Sequence, residues 1–528
     1  MNRFAQFLDA LSYEPGRNGK LRLMTSFFAE VPDPERGYAL AALTGALEFR
    51  YAKPSLIREL VSARVDPVLF KLSYDYVGDL AETTALIWPA RPGANAVPGL
   101  SDVVETLRNA AKAETPGLIE RWLDALDANG RWALIKLVTG GLRVGVSARL
   151  AKTAVAQFGD LPVAEIEELW HGLDVPYTEL FEWAGGKAEK PVAAALAPFR
   201  PVMLAHPIAD TDFEKLAPDD FAAEWKWDGI RVQAVSEGGV RRLYSRTGDD
   251  ISRAFPDVVD ALDFEASIDG ELLVGADGVV RPFADLQKRL NRKTVSKKML
   301  AEYPAFIRAY DALVLDGDDL RALPFAQRRA RLETWHAVTQ PARVDLSPQL
   351  AFDTWETLAA AREYNQSVGV EGLMLKRADS VYLPGRPKGQ WWKWKRDPHV
   401  IDAVLMYAQR GHGKRSSFYS DYTFGVWRDD ELVPVGKAYF GFTDDELKQI
   451  DTYVRGNTTN RFGPVREVTH THDTGLVFEV AFDGLNRSTR HKSGVAMRFP
   501  RISRLRWDKS PAEADVLETL EKLISTDA

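Results

Sequence analysis

The chain reads as a multidomain α+β protein: an all-α amino-terminal domain, an antiparallel α+β domain in the middle, and a small β-barrel of the OB kind at the carboxyl end. Three observations predict this. Its 528 residues exceed the roughly 250–300 at which one hydrophobic core stops growing, so several domains are required. Apolar residues recur three and four apart over roughly the first 195 positions, and two apart from residue 221 onward. Beyond residue 398 only short strand patterns remain, around a single helical piece.

In order along the chain, "SDVVETLRNAAKA", "GLIERWLDALDANGRWALIKLVTG" and "ARLAKTAVAQFG" carry helical periodicity and strong helix formers. Ser147 is placed to cap the last of them. The Pro- and Ala-rich segment 190–210 interrupts that pattern and reads as a linker. "AEWKWDGIRVQAVSEGGVRRLYSRTGDD" then reads as strand, turn, strand, with Gly238-Gly239 as the hairpin signal. "SIDGELLVGADGVVRPF" and "YPAFIRAYDALVLDGDDL" continue the strand pattern, helical stretches occupy 320–338 and 354–367, and "EGLMLKRADS" and "WWKWKRDP" return to strand. Past Asp397-Pro398 come the short strands of the barrel, the helical piece "DDELKQIDTYVRG" and a final capping helix. The expected domains are 1–195, 201–396 and 397–528.

Composition narrows the chemistry. With no cysteine, disulfides, thiolate nucleophiles and Cys-ligated zinc are excluded. No run of about 18 apolar residues occurs, and the start lacks a signal-peptide pattern, so a cytoplasmic protein without a membrane partner is expected. The net charge of −7 hides two basic concentrations. Window 481–510 holds eight Lys and Arg (Arg487, Arg490, Lys492, Arg498, Arg501, Arg504, Arg506, Lys509) against two acids, and 386–397 holds five against one, among three tryptophans. Phosphate partners suit such patches, as does a merely solvated face.

Several familiar patterns fail. "GHGKRS" at 411–416 has Ala408 where the first glycine of a phosphate-binding loop belongs and Arg415 where its Ser/Thr belongs. "DGDD" at 316–319 lacks the ligand spacing of a calcium loop, and the His470/His472 pair is too sparse for a metal site. What remains is a series: Lys226-x-Asp228-Gly229, "SRTGD" (245–249), "DGEL" (269–272), "YDALVLDG" (310–317), "EGLMLK" (371–376), "WWKWK" (391–395) and "RFPRISRLRWDK" (498–509). Singly each has a bland reading: Tyr310 as a core aromatic, Arg231 and Arg246 as surface residues. In this order and at these intervals they resemble the nucleotidyl transferase motifs of the ATP-dependent DNA ligases, over about 290 residues.

That resemblance implies a nucleophilic lysine. Lys226 would attack the α-phosphate of ATP, form a lysyl-AMP phosphoramidate and expel pyrophosphate. A lysine needs nearby cations and partial desolvation to offer a neutral amine; Lys393, Lys395 and Arg246 would supply charge, and Trp225 and Trp227 shelter. By motif, Glu224 faces the adenine amine, Tyr310 stacks on the base, and Arg231 and Arg246 hold ribose and phosphates. Glu271 is a ribose or metal contact. Glu371 is the best metal ligand, for Mg²⁺ with Mn²⁺ as a substitute. Lys393 and Lys395 clamp the α-phosphate, with Arg386 and Lys376 as secondary candidates. Arg498, Arg501, Arg504, Asp508 and Lys509 resemble the carboxyl-terminal motif that orients the departing pyrophosphate, through a hinge at 395–402.

"KLVTGGLRVGVSARLAKTAVAQFG" (136–159) resembles the signature of the helical DNA-binding domain of larger ligases. Its loop Thr139-Gly140-Gly141, with Arg143 and the helix start at Ser147, is expected to meet DNA phosphates through backbone N–H groups. A glycine-containing helix turn is the plain alternative. The resemblance thus implies an ATP-dependent enzyme that seals 5′-phosphate/3′-hydroxyl nicks through lysyl-AMP and a DNA-adenylate, as a monomer encircling nicked duplex DNA. An RNA ligase or capping-type nucleotidyltransferase is the nearest alternative, and a catalytically silent DNA-binding scaffold a remote one.

Overall fold

In the computed structural model, which describes residues 1–89, 96–191, 196–276, 278–290, 292, 294–364, 369–410, 419–439, 441, 443–489 and 491–526, the expected change from helix to strand is found at the middle of the chain. Residue contacts gather into two units. One comprises Met1–Val163, Asp174–Pro191 and Pro398–Thr526, the other Ala164–Leu173 and Val192–Asp397. The 411–416 stretch and Arg490 lie outside the described residues, as do 192–195 of the linker.

Helices fill the amino-terminal part of the first unit, from Asn2–Tyr13 to Thr178–Ala184. The periodicity over 117–140 is divided between two of them, Thr115–Ala125 and Ala128–Val138, because Asp127 stops the chain and accepts the Gly130 N–H as a cap. Ser147 caps Ala148–Phe158 as expected, accepting from Leu150 N–H at 3.2 Å. Leu134 and Ile135 of the helix Ala128–Val138 and Ala151, Ala154 and Val155 of the helix Ala148–Phe158 are buried.

The second unit holds strands β1 (His206–Pro207), β2 (Phe221–Trp227), β3 (Ile230–Glu237), β4 (Val240–Ser245), β5 (Ala266–Ala276), β6 (Val279–Val280), β7 (Ala305–Leu315), β8 (Asp318–Asp319), β9 (Val344–Leu346), β10 (Gln349–Leu350), β11 (Val370–Arg377) and β12 (Trp391–Lys395). They form two sheets, ordered β1-β12-β11-β2-β10 and β4-β3-β5-β7-β8, with β6 on β5 and β9 on β7. All pairs are antiparallel except β1 with β12 and β7 with β9. Alternation along β2 sends Phe221 and Ala223 into a core with Leu373, Leu375 and Leu358, and leaves Glu224 and Lys226 on the opposite face.

The carboxyl-terminal part of the first unit contains β13 (His399–Arg410), β14 (Tyr419–Arg428), β15 (Glu431–Ala438), β16 (Thr458–Phe462), β17 (Val465–Val468), β18 (Val477–Phe482), β19 (Gly484–Arg487), β20 (Val495–Arg498) and β21 (Arg501–Arg506). The long strand β13 pairs with β14 on one edge and with β17 and β18 on the other, the curled antiparallel pattern of an OB barrel. The piece "DDELKQIDTYVRG" is the helix Asp444–Gly456, started by a capping box between Thr443 and Glu446. The final helix, Leu517–Thr526, packs Leu517 and Leu520 into the barrel core.

Candidate active site

Strand register assembles the site. In β11, Gly372 stands opposite Lys226 of β2 on one side and opposite Lys395 of β12 on the other; Met374 likewise lies between Glu224 and Lys393. The β2–β11 pairing slips between Val370 and Gly372, so Glu371 is the extra residue of a β-bulge. A bulge re-aims its side chain. Here the Glu371 carboxylate meets Lys226 Nζ through Oε1 and Lys395 Nζ through Oε2, the latter at 3.0 Å. Gly372 makes the crossing passable. Its φ of 145° suits glycine, and a Cβ would collide with the Trp394 carbonyl oxygen and sit 2.8 Å from Lys395 Cα. Lys226 and Glu371 keep 22% and 29% of their side-chain surface exposed, so a ligand can reach them.

Charges are arranged in a gradient around this pair. Burial pushes the Glu371 carboxyl up, but Lys226 and Lys395 outweigh it and hold the group below its ordinary value. Glu271, on β5, is partly buried; burial, offset in part by Lys226 and Arg231, pushes it up to about 8. Burial and then Lys226, Lys395, Arg386 and Arg246 push the Lys393 ammonium down. Burial, with Arg231 and Arg386, does the same to the Arg246 guanidinium. Arg246, Arg386 and Lys393 therefore share one neighbourhood, and none of the three forms an ion pair with an acid among the described residues. Crowded cations of this kind are completed by an anion such as a phosphate chain.

A second layer holds Glu224, Tyr310 and Asp269. Glu224, 1% exposed, accepts from Lys376 Nζ at 2.8 Å and from Arg329 at 2.9 Å. Lys376 Nζ sits 4.2 Å from the centre of the Tyr310 ring, so Glu224 and Tyr310 border one region. Asp269, wholly buried, accepts from Arg231 Nε at 3.0 Å and Nη2 at 2.5 Å, from Tyr382 Oη at 2.6 Å and from Tyr310 Oη at 3.3 Å.

Three sequence expectations change. Trp225 and Trp227 do not shelter the Lys226 amine, because alternation turns them to the other face. Trp225 packs against the Phe221 and Leu373 core, while Trp227 donates to Ser347 Oγ and carries Arg308 over its ring at 4.2 Å. Arg231 does not present a bidentate fork to phosphate. Besides its two bonds to Asp269, it donates to the Met203 carbonyl at 2.6 Å and Tyr382 Oη at 3.2 Å, so four of its five N–H donors are occupied. In the helical part, Gly140 and Gly141 close their helix instead of offering free amides: their N–H groups donate to Leu137 and Lys136 carbonyls, with Gly140 at φ 69°. Thr139 Oγ1 likewise donates to the Ile135 carbonyl, while Arg143 and Ser147 are exposed.

Lys393 and Lys395 alternate on β12 as expected, with Trp391 buried beside Tyr382 and Phe325, and Trp392 and Trp394 against the opposite core. Arg498 and Arg501 belong to the other unit, at the end of β20 and the start of β21; Arg501 pairs with Asp483 at 3.2 Å. Arg504 approaches Asp508 at 3.7 Å, and Lys509 pairs with Asp402 at 2.5 Å. Sequence reasoning missed Arg329 and Tyr382, which stand outside the motif series. Asp269 was in view within "DGEL" but carried no role.

Comparison with known proteins bears on the whole chain. A family model described as ATP dependent DNA ligase domain matches residues 202–395, and one described as ATP dependent DNA ligase C terminal region matches 415–509. A probable DNA ligase of Koribacter versatilis is 31% identical, covering 99% of this chain and 96% of the relative. DNA ligase 1 of Korarchaeum cryptofilum is 31% identical over 99% and 98% of the two chains. Among solved structures, one described as Pmar-Lig_PreS3 superposes with a TM-score of 0.59 over 95% of this chain and 99% of its own, at 15% identity, and so shares the fold.

Proposed function

The chain belongs to the ATP-dependent DNA ligase family, and from that premise we propose that Lys226 is the nucleophile and Glu371 the carboxylate that positions it. The enzyme joins DNA ends at the expense of ATP. The observation that carries the residue assignment is the ion-paired row Lys226, Glu371, Lys395 on three adjacent strands.

In the first step the deprotonated Lys226 amine attacks the α-phosphorus; an N–P bond forms, the bond to the bridging oxygen breaks, and pyrophosphate leaves with that electron pair. The amine proton goes to solvent or to Glu371, which already accepts from Nζ. Lys393, Arg246 and Arg386 face the growing charge on the phosphate oxygens. Glu224 and Tyr310 receive the adenine, Arg231 turns its remaining N–H toward the nucleotide, and Glu271 takes the ribose. Arg498 and Arg501 would meet the departing pyrophosphate. AMP then passes to a DNA 5′-phosphate, and the 3′-hydroxyl displaces it.

Glu371 and Glu271 are hard oxygen donors of the kind Mg²⁺ or Mn²⁺ prefers, and a cation held by one or two carboxylates plus nucleotide phosphates fits this donor set. When bound, it would neutralise phosphate charge. We assign 1–195 as the DNA-binding domain, 201–396 as the adenylation domain and 397–528 as the OB domain. The substrate we infer is a 5′-phosphate/3′-hydroxyl nick in duplex DNA, gripped by a monomer that surrounds it. The test is incubation with labelled ATP or GTP, followed by nicked DNA or nicked RNA. ATP-dependent sealing of DNA is expected; labelling by GTP alone, or sealing of RNA alone, would overturn the assignment.

A further inference from the structure

The carboxylate assigned to base reading has a support outside the motif series. Arg329, on the helix Phe325–Thr339, is 5% exposed. It donates through Nη1 to Glu224 Oε1 at 2.9 Å, through Nη2 to the Ser347 carbonyl at 2.7 Å, and through Nε to Glu333 at 2.6 Å. Lys376 takes the other oxygen of Glu224 at 2.8 Å. Each carboxylate oxygen has two lone pairs, so both stay able to accept one bond more.

The protonation of Glu224 decides what it can read. An ionised carboxylate only accepts: it suits the 6-amino group of adenine and opposes the 6-oxo group of guanine or hypoxanthine. A protonated one can donate to that oxygen and loses the distinction. Burial, with Asp311 adding to it, raises the Glu224 carboxyl above its ordinary value and favours the protonated form, while Lys376 and Arg329 oppose this and favour the ionised form. Burial also pushes the Lys376 ammonium down, whereas a guanidinium stays charged at any working pH.

We propose that Arg329 is a specificity-determining positioning residue, which fixes the Glu224 carboxylate in its acceptor-only form and thereby sets the preference for ATP over 6-oxopurine nucleotides. This rests on Glu224 being the adenine contact. The experiment compares adenylation-type labelling of Lys226 in the full chain with α-labelled ATP, ITP and GTP, reading kcat/KM for each. Arg329→Gln is expected to lower the ATP-to-ITP preference about tenfold or more, and Arg329→Lys to restore part of it. Glu224→Gln runs in parallel. If it loses the preference while Arg329→Gln retains the wild-type value, the role of Arg329 is overturned and that of Glu224 stands. If Glu224→Gln retains the preference, the reading of Glu224 fails and the proposal with it. Should Arg329→Gln not fold, Glu333→Gln at the half-exposed end of the chain of bonds replaces it. A shift of about two- to threefold in the same direction supports the proposal, and an unchanged preference overturns it.

Discussion

Glu371 occupies the bulge of β11 and bridges Lys226 on β2 to Lys395 on β12, so one carboxylate fixes two ammonium groups across three strands. An antiparallel ladder without a slip would alternate side chains strictly, and neighbouring positions 371 and 372 would face opposite ways. The extra residue resolves this.

Lys226→Ala should leave no acid-stable AMP adduct after incubation with α-labelled ATP. Joining of a strand that already bears AMP on its 5′ phosphate should survive in part, since that step does not use the amine as a nucleophile. A variant that still accumulates adduct would remove Lys226 from the mechanism.

Glu371→Gln keeps the size of the side chain but removes its charge from between two ammonium groups. Enzyme labelling should fall by roughly 10²-fold or more, an amount typical of losing one well-placed charged group. Thermal melting should change little. Normal labelling at unchanged magnesium demand would deny Glu371 both positioning and metal roles.

Gly372→Ala combines an unfavourable φ of 145° with a Cβ driven into the β12 backbone. A destabilisation of about 2–4 kcal/mol in urea titrations of the full chain is expected, together with loss of labelling, because β11 must part from β2 or β12. Wild-type stability would mean that the crossing is looser than the register implies.

Asp79 gives the acid limb. It caps the helix Leu80–Ile87 by accepting from Glu82 N–H at 3.0 Å and pairs with Lys136 at 2.5 Å. Burial opposes ionisation, but the Lys136 and backbone hydrogen bonds outweigh it and hold the carboxyl below its ordinary 3.8. The folded value is the lower one, so this stabilisation is present above about pH 4 and is lost as pH falls through the folded value. Asp79→Asn should cost about 1–2 kcal/mol at pH 7, a deficit that shrinks toward pH 2–3. Melting curves across pH check it; a pH-independent deficit would assign the effect to the cap alone.

Much of the chain was legible because its signals are local. Periodicity gave the helix Asp444–Gly456, the cap at Ser147 and the strand β2, since 3.6 and 2.0 are properties of a backbone and its nearest side chains. Local alternation also separates Lys393 and Lys395 from Trp392 and Trp394. The same rule, applied to β2, would have turned Trp225 and Trp227 away from Lys226.

By itself the sequence determined the family and the motif series that contains Lys226, because motif order survives any uncertainty about packing. Only the tertiary structure decided which donors remain open. Arg231 is mostly consumed by buried Asp269, the Met203 carbonyl and Tyr382, the Gly140 and Gly141 amides close a helix, and Glu224 is held by Arg329 from 105 residues away in the chain. A hydrogen-bonding group is satisfied by whatever folds next to it, and spacing along the chain does not record that neighbour.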